Sequence, residues 1–401
     1  MQNKIIRQYL FLSALFSVGG LSIISAMYVT YLMSHGLSLF ETNAVNAIYF
    51  FTLFICEIPT GAFADIFGRK KSFIVACLLM GASMFIYGAV TTFTGFVIAE
   101  IVGAVGSTFK SGAFRAWLVD RLKYHSFEGE LSKVFAKENL LRQIAGGVGA
   151  ILGAYIATVN MSIPWFIGGT MLLITALLAS IIMKEEYFVP IKLSFKQGLI
   201  SMKTVTVLSF HFARKDRAVR FVLIVTGLQV FAFQALNMYW QPFFKSYGVA
   251  EQHLGFLFTG MMAGIALGAF IISRINTTGR EKQVIIITQI LTGLAVLSTI
   301  SVSGVGFVIS AFVLHEMFRG AFEPLLGSFL HKRIPSSERA TIDSFCSIAP
   351  HIGGSIGLLA SGAIAEMFGI RFAWFISGLI LIIGAIAVRN GHKNKDHVPI
   401  S

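Results

Sequence analysis

Charge is what this sequence has least of. Only 13% of its 401 residues are Asp, Glu, Lys or Arg, about half the share found in soluble domains. Combined with 55% apolar residues, that scarcity excludes a soluble enzyme and intrinsic disorder alike. Acids are scarcer than bases, 19 against 32, which leaves a net charge of +13. Cysteine is nearly absent. Cys56, Cys77 and Cys346 stand alone inside apolar runs, with no CxxC or metal-ligand spacing, so they read as small buried hydrophobes. There is no GxxxxGK[ST] loop for ATP and no HExxH or Cys-His cluster for a metal. No cofactor is expected. No nucleophile and base converge near either end of a run, so an intramembrane enzyme is not expected either.

What is present is long apolar runs, about 20 residues being enough to span a bilayer. Twelve are read: 9–33, 43–64, 72–91, 96–119, 138–159, 162–183, 219–245, 252–275, 283–302, 304–330, 339–364 and 370–389. The first is too long for the core of a signal peptide and is kept as a membrane helix. The bases fall in short clusters between runs, which is the pattern of membrane topology and not of nucleic-acid binding. With the N-terminus placed in the cytoplasm, 26 of the 32 Lys and Arg lie on the inner side. Two (Lys245, Arg371) lie outside and four (Lys110, Arg115, Arg142, Arg319) within helices. The expected topology is therefore a multi-pass protein of the cell (inner) membrane, both termini cytoplasmic, functioning as a monomer. The longest connection is basic and includes Phe195–Lys203, read either as an amphipathic surface segment or as a plain linker. The expected division is a six-helix bundle over 1–183, a cytoplasmic linker over 184–218 and a second six-helix bundle over 219–401. The two bundles are related by pseudo-two-fold symmetry, in an all-α membrane protein with 12 transmembrane helices.

Between the second and third runs stands Gly61-Ala62-Phe63-Ala64-Asp65-Ile66-Phe67-Gly68-Arg69-Lys70-Lys71. In a tight turn, Gly61 permits close helix packing and Gly68 an unusual backbone angle. The stretch resembles the signature loop of the major facilitator superfamily, G-x-L-a-D-r-x-G-r-k. Gly61, Asp65, Gly68, Arg69 and Lys70 match; Phe63 and Ile66 depart. A degenerate second copy, Gly268–Arg274 followed by Gly279-Arg280, lacks the Asp. Glu57-Ile58-Pro59-Thr60 and Ile334–Thr341 are similar to stretches of macrolide-type proton antiporters. The fifth run carries Gly146, Gly149 and Gly153 without the Gly-Pro pair of the better-known twelve-helix drug exporters. The resemblance implies a gate in which Asp65 sits against the start of the eleventh helix and Arg69 reaches Asp120.

Ionisable groups inside spanning helices face a cavity or a partner. At roughly 100° per residue, Glu316, Arg319 and Glu323 share one stripe of the tenth helix. One acid pairing with Arg319 would leave the other to carry a proton, with Glu316 deeper; the rival is a static ion network. Glu100, Ser107, Ser111 and Arg115 share a stripe of the fourth helix, with Lys110 about a quarter-turn away. Glu100 is a candidate proton site or substrate contact, a structural pair with Arg115 or Lys110 being the rival, and Arg115 and Ser111 are candidate substrate contacts. On the fifth helix Arg142 and the three glycines form a packing seam. On the seventh, Gln234, Asn237 and Gln241 lie among Phe231, Phe233, Tyr239 and Trp240 and suit a flat, amphipathic ligand. The expected function is secondary transport by alternating access, as proton-coupled efflux (antiport) of a small amphipathic drug or metabolite. The alternatives are proton-coupled uptake of an anionic nutrient, which free cations at Lys110 and Arg115 would favour, and a non-transporting sensor, which would ordinarily need an appended soluble domain.

Overall fold

The computed structural model describes residues 1–188, 216–333 and 339–390, the side chains at 58, 331, 339–350 and 390 excepted. Phe195–Lys203, and Ile334–Glu338 of the second efflux-like stretch, lie outside the described residues. In the first half the helices are α1 Gln2–Gly19, a 3-10 turn Ser22–Ile24, α2 Tyr28–Ser34, α3 Leu39–Phe67, α4 Arg69–Ala89, α5 Phe93–Ser111, α6 Ala113–Tyr124, α7 Leu131–Ala157 and α8 Ile163–Ile182. In the second they are α9 Arg217–Ser246, α10 Glu251–Arg274, α11 Glu281–Ser301, α12 Val305–His331, α13 Arg339–Phe368 and α14 Ile370–Asn390. Eleven spans among the described residues are long and apolar enough to cross a membrane. The 30-residue α13 completes the twelve expected from the runs. Lipid is the solvent on the outside of these helices. Along α7, Leu140, Ile144, Val148, Leu152 and Tyr155 stand on one face, each roughly half exposed, a stripe that water would penalise and acyl chains would not.

Two expected helices are not single helices. The first run breaks after Gly19-Gly20, where Gly20 leaves the helical region (ψ −127°) and the chain crosses a 3-10 turn into α2. The fourth breaks at Gly112 between α5 and α6. The third difference is a boundary. The second run was expected from 43, but α3 starts at Leu39 because Ser38 and Glu41 form a reciprocal capping box. The Glu41 N–H donates to Ser38 Oγ at 3.2 Å, and the Ser38 N–H donates to Glu41 Oε2 at 2.9 Å.

The described residues cluster into two compact units. One comprises 1–188 together with Phe244–Thr259, the other 216–243 with 260–333 and 339–390. In the first, Phe114 stacks on Phe73 (4.2 Å between centroids) and on Tyr9 (4.7 Å), while Trp165 stacks on Tyr87 at 4.2 Å. Close approach of backbones does the rest. A Cβ on Gly153 would overlap the Ile23 carbonyl oxygen, and one on Gly149 would lie 2.9 Å from Ser22 Cβ, so the α7 glycines form the expected seam against the 3-10 turn. Glu251, at the head of α10, accepts from Thr30 Oγ1 (2.8 Å) and pairs with Lys245 (2.6 Å). In the second unit, Gly268 meets the Met317 carbonyl and Gly320 that of Ile265 without room for a side chain. Buried Trp374 donates from Nε1 to the Ala235 carbonyl at 3.1 Å.

Candidate functional site

The signature turn is built by Gly68, whose φ of +97° favours glycine. A Cβ there would also lie 2.6 Å from Glu185 Oε2. A Cβ on Gly61 would meet nothing within 4 Å among the described residues, so the close packing expected there is not seen among them. Arg69 bridges two acids, Asp65 at 3.3 Å one turn earlier and Asp120 on α6 at 3.4 Å. The second is the contact expected from the family resemblance. Lys70 Nζ donates to the Ser180 carbonyl at 2.6 Å and ties the turn to the end of α8. The ion pairs are partly exposed, so each is worth only about 0.2–1 kcal/mol.

Glu185 was not among the sequence candidates. Burial pushes its carboxyl above the usual range, only partly offset by the Lys70 and Arg69 backbone N–H groups and the charges of those two residues. The folded state therefore holds this proton to higher pH than the unfolded chain does. The resulting penalty is absent below the ordinary glutamate range, grows as pH rises through it, and is complete once the folded group ionises. Glu185→Gln is thus expected to melt above the wild type at pH 8, by about 2 °C, with the difference vanishing toward pH 4 in detergent melts.

Glu100, like Glu138, is a buried acid of the first unit. It is 7% exposed, and its Oε1 accepts from both Tyr28 Oη (2.6 Å) and Tyr87 Oη (2.7 Å). Asn46 Nδ2 reaches Tyr28 Oη at 3.4 Å, and Trp165 covers the Tyr87 ring. Among the described residues no cation lies within ion-pair distance of Glu100. The two tyrosines were missed because they come from α2 and α4; their phenols inside apolar runs were the available signal.

Gly112 interrupts the fourth helix, so Glu100, Ser107 and Ser111 lie on α5 and Arg115 on α6. Arg115 donates from Nε (3.2 Å) and Nη2 (3.0 Å) to Glu138 Oε2, while Ser13 Oγ donates to Glu138 Oε1 at 3.3 Å. Ser111 Oγ donates to Glu57 Oε1 at 2.6 Å. Lys110 lies with Nζ 4.1 Å over the Phe16 ring, and no carboxylate among the described residues is within ion-pair distance of it. Arg142 donates to Asn139 Oδ1 at 3.0 Å.

In the second unit Glu316 is 1% exposed and faces Arg319 Nη1 at 3.2 Å, with His315 Nε2 at 3.4 Å. Arg319 also donates to Asn237 Oδ1 at 3.1 Å and lies 4.8 Å over Phe233. Glu323 is exposed and makes no ion pair among the described residues. Of the three amides expected together, Asn237 accepts from Arg319, while Gln234 and Gln241 are buried at 5% and 2% exposure. Gly357 packs on Gln234, where a Cβ would lie 3.0 Å from its Cγ.

The comparisons with known proteins agree with this architecture. YxaM of Bacillus subtilis (strain 168), an uncharacterised MFS-type transporter, is 24% identical over 94% of both chains. Multidrug resistance protein 2 of the same organism is 22% identical over 81% of this chain and 79% of its own. A crystal structure of a mutant form of the nucleoside transporter NupG superposes with a TM-score of 0.83 at 14% identity, covering 97% of this chain and all of that one (100%). The family's sequence model matches residues 10–248 and 222–397. The chain belongs to the Major Facilitator Superfamily and is a multi-pass membrane transporter.

Proposed function

We propose that this transporter exports a small amphipathic compound in exchange for protons, with Glu100 as the proton-carrying group. The carrying observation is the Glu100 carboxyl, buried, held by two phenols and with no cation within ion-pair distance among the described residues. A phenol donates to a carboxylate and accepts from a carboxylic acid, so the same partners serve both protonation states. Glu316, by contrast, already has a counter-charge in Arg319. The reading is supported by the efflux-like stretch Glu57–Thr60 and by two relatives named multidrug resistance proteins. Alternating access of the two bundles, with Asp65, Arg69 and Asp120 as a gate, is the mechanism that goes with it.

Lys110 supports a second reading, in which the substrate carries an anionic group. A cation inside a spanning segment with no carboxylate within ion-pair distance among the described residues is costly, and a substrate carboxylate would supply a counter-charge. Arg115 argues less strongly, because Glu138 already occupies it. One assay separates the readings: everted membrane vesicles, acidified inside, offered matched cationic, neutral and anionic amphipathic dyes. Export predicts uphill dye accumulation that a protonophore abolishes. Accumulation only in right-side-out vesicles would replace export by uptake. Preference for the anionic dye, lost in Lys110→Gln, would favour the second reading.

A further inference from the structure

A line of polar side chains runs between α3 and α5 in the first unit. On α5, Glu100, Ser107 and Ser111 recur at helical spacing and share one face. On α3, Asn46, Tyr49 and Glu57 fall within roughly 80° of one another by the same rotation. Contacts join the two faces along their length. Tyr28 Oη donates to Glu100 at 2.6 Å and has Asn46 Nδ2 3.4 Å away. Glu100 and Ser107 are separated by about 10 Å of rise along α5. Tyr49 serves that interval from α3, since it meets the Ser107 hydroxyl and lies within reach of the charges of both Glu100 and Glu57. One turn beyond Ser107, Ser111 Oγ donates to Glu57 Oε1 at 2.6 Å. Among the described residues no cation lies within ion-pair distance of Glu57. Exposure rises along the line. Glu100 is buried, Tyr49, Ser107 and Glu57 are half-buried, and Ser111 is exposed.

We propose that Glu57 is the inner station of the proton path, taking the proton that Glu100 gives up and releasing it on the inner side of the membrane. The inference rests on the reading of Glu100 as the carrier and deepens it. Hydroxyl groups both donate and accept. Those of Tyr49, Ser107 and Ser111 therefore each take one proton and pass one on, and end unchanged. The step from Glu100 to Tyr49 and the turn between Ser107 and Ser111 are bridged by water, which serves as well as a direct hydrogen bond. Glu100 ends as a carboxylate and Glu57 as a carboxylic acid, which then loses its proton to water. Only a proton has moved. The position of Glu57 suits that last step. It stands four residues before Gly61, where the signature turn begins, and the clusters of Lys and Arg place that turn on the inner side. Inward movement of the proton is the direction that export by antiport requires.

The test uses the full-length protein in everted membrane vesicles acidified inside. The probe is whichever of the cationic, neutral and anionic dyes the wild type concentrates most, with pyranine in the bath to follow emerging protons. Glu57→Gln is expected to slow dye accumulation and proton appearance together, about tenfold, and to slow dye exchange at equal pH far less. Glu57→Asp should restore most of the rate. A merely structural role predicts the opposite order, because a glutamine carbonyl still accepts from Ser111 at the same length, whereas the shorter aspartate draws away from it. Ser111→Ala, which alters an exposed side chain, decides in the same way if Glu57→Gln does not fold. Wild-type rates in Glu57→Gln beside a slow Glu100→Gln overturn the relay and leave the carrier standing. Glu57→Asp slower than Glu57→Gln overturns the relay, as does an equal loss of dye exchange at equal pH. A wild-type rate in Glu100→Gln overturns the carrier, and the relay with it.

Discussion

Glu100→Gln is expected to cut proton-driven transport on the order of a hundredfold, the scale of losing a positioned proton-transfer group. It should leave substrate exchange in the absence of a gradient nearly intact. The substitution is nearly isosteric. A glutamine carbonyl still accepts from Tyr28 and Tyr87, which now converge on one carboxylate oxygen, so the packing of Trp165 on Tyr87 is kept. What is lost is the exchangeable proton. Glu316→Gln is the informative contrast. It removes the counter-charge of Arg319, whose side chain is 32% exposed, and so should act on stability, by about 1–3 kcal/mol, more than on coupling. The pair of variants is read by flux under an imposed pH gradient and by melting of the purified protein. Full gradient-driven flux in Glu100→Gln removes Glu100 as the carrier. Loss of that flux in Glu316→Gln with unchanged melting would move the role to α12.

The reason these two acids looked alike in sequence is instructive. Hydropathy is summed over about 20 residues, so the number of spans and most of their boundaries are legible. Glu316 and Arg319 lie three residues apart on one unbroken helix, and their contact follows from helical spacing alone. Glu100 is different. Its neighbours come from α2 and α4, and no periodicity within α5 points to them. Arg115 shows the same limit from the other side: Gly112 interrupts the helix before it, and its partner Glu138 belongs to α7. Glycine carries two opposite meanings here. Gly112 follows the end of a helix with nothing within 4 Å of a Cβ there among the described residues, whereas Gly149 and Gly153 continue one and admit a neighbouring backbone. Composition cannot separate these cases. The start of α3, by contrast, was readable and overlooked, since Ser38-x-x-Glu41 before an apolar run is a capping-box signature.

Gly153→Leu is expected to abolish recovery of folded protein, the largest stability effect in the first unit. At Gly153 the space for a Cβ is already filled by the Ile23 carbonyl oxygen, with the Ile23 carbonyl carbon at 2.7 Å. Overpacking a core commonly costs about 1–3 kcal/mol when side chains can rotate away. Here the obstacle is backbone in a 3-10 turn that also carries Ser22, itself pressed by Gly149. Relief would require α1 and its continuation to move off α7 together. Gly153→Ala should show a reduced version of the same effect, a lower melting temperature with folded material still recovered. Gly61→Leu is the matched control, because a Cβ there meets nothing within 4 Å among the described residues and the chain should tolerate it. Size-exclusion profiles and melts of the three variants in one detergent check the ranking. A Gly153→Leu protein that melts with the wild type would show that the broken first helix does not depend on this contact. The break would then rest on the backbone preferences of Gly19 and Gly20 alone.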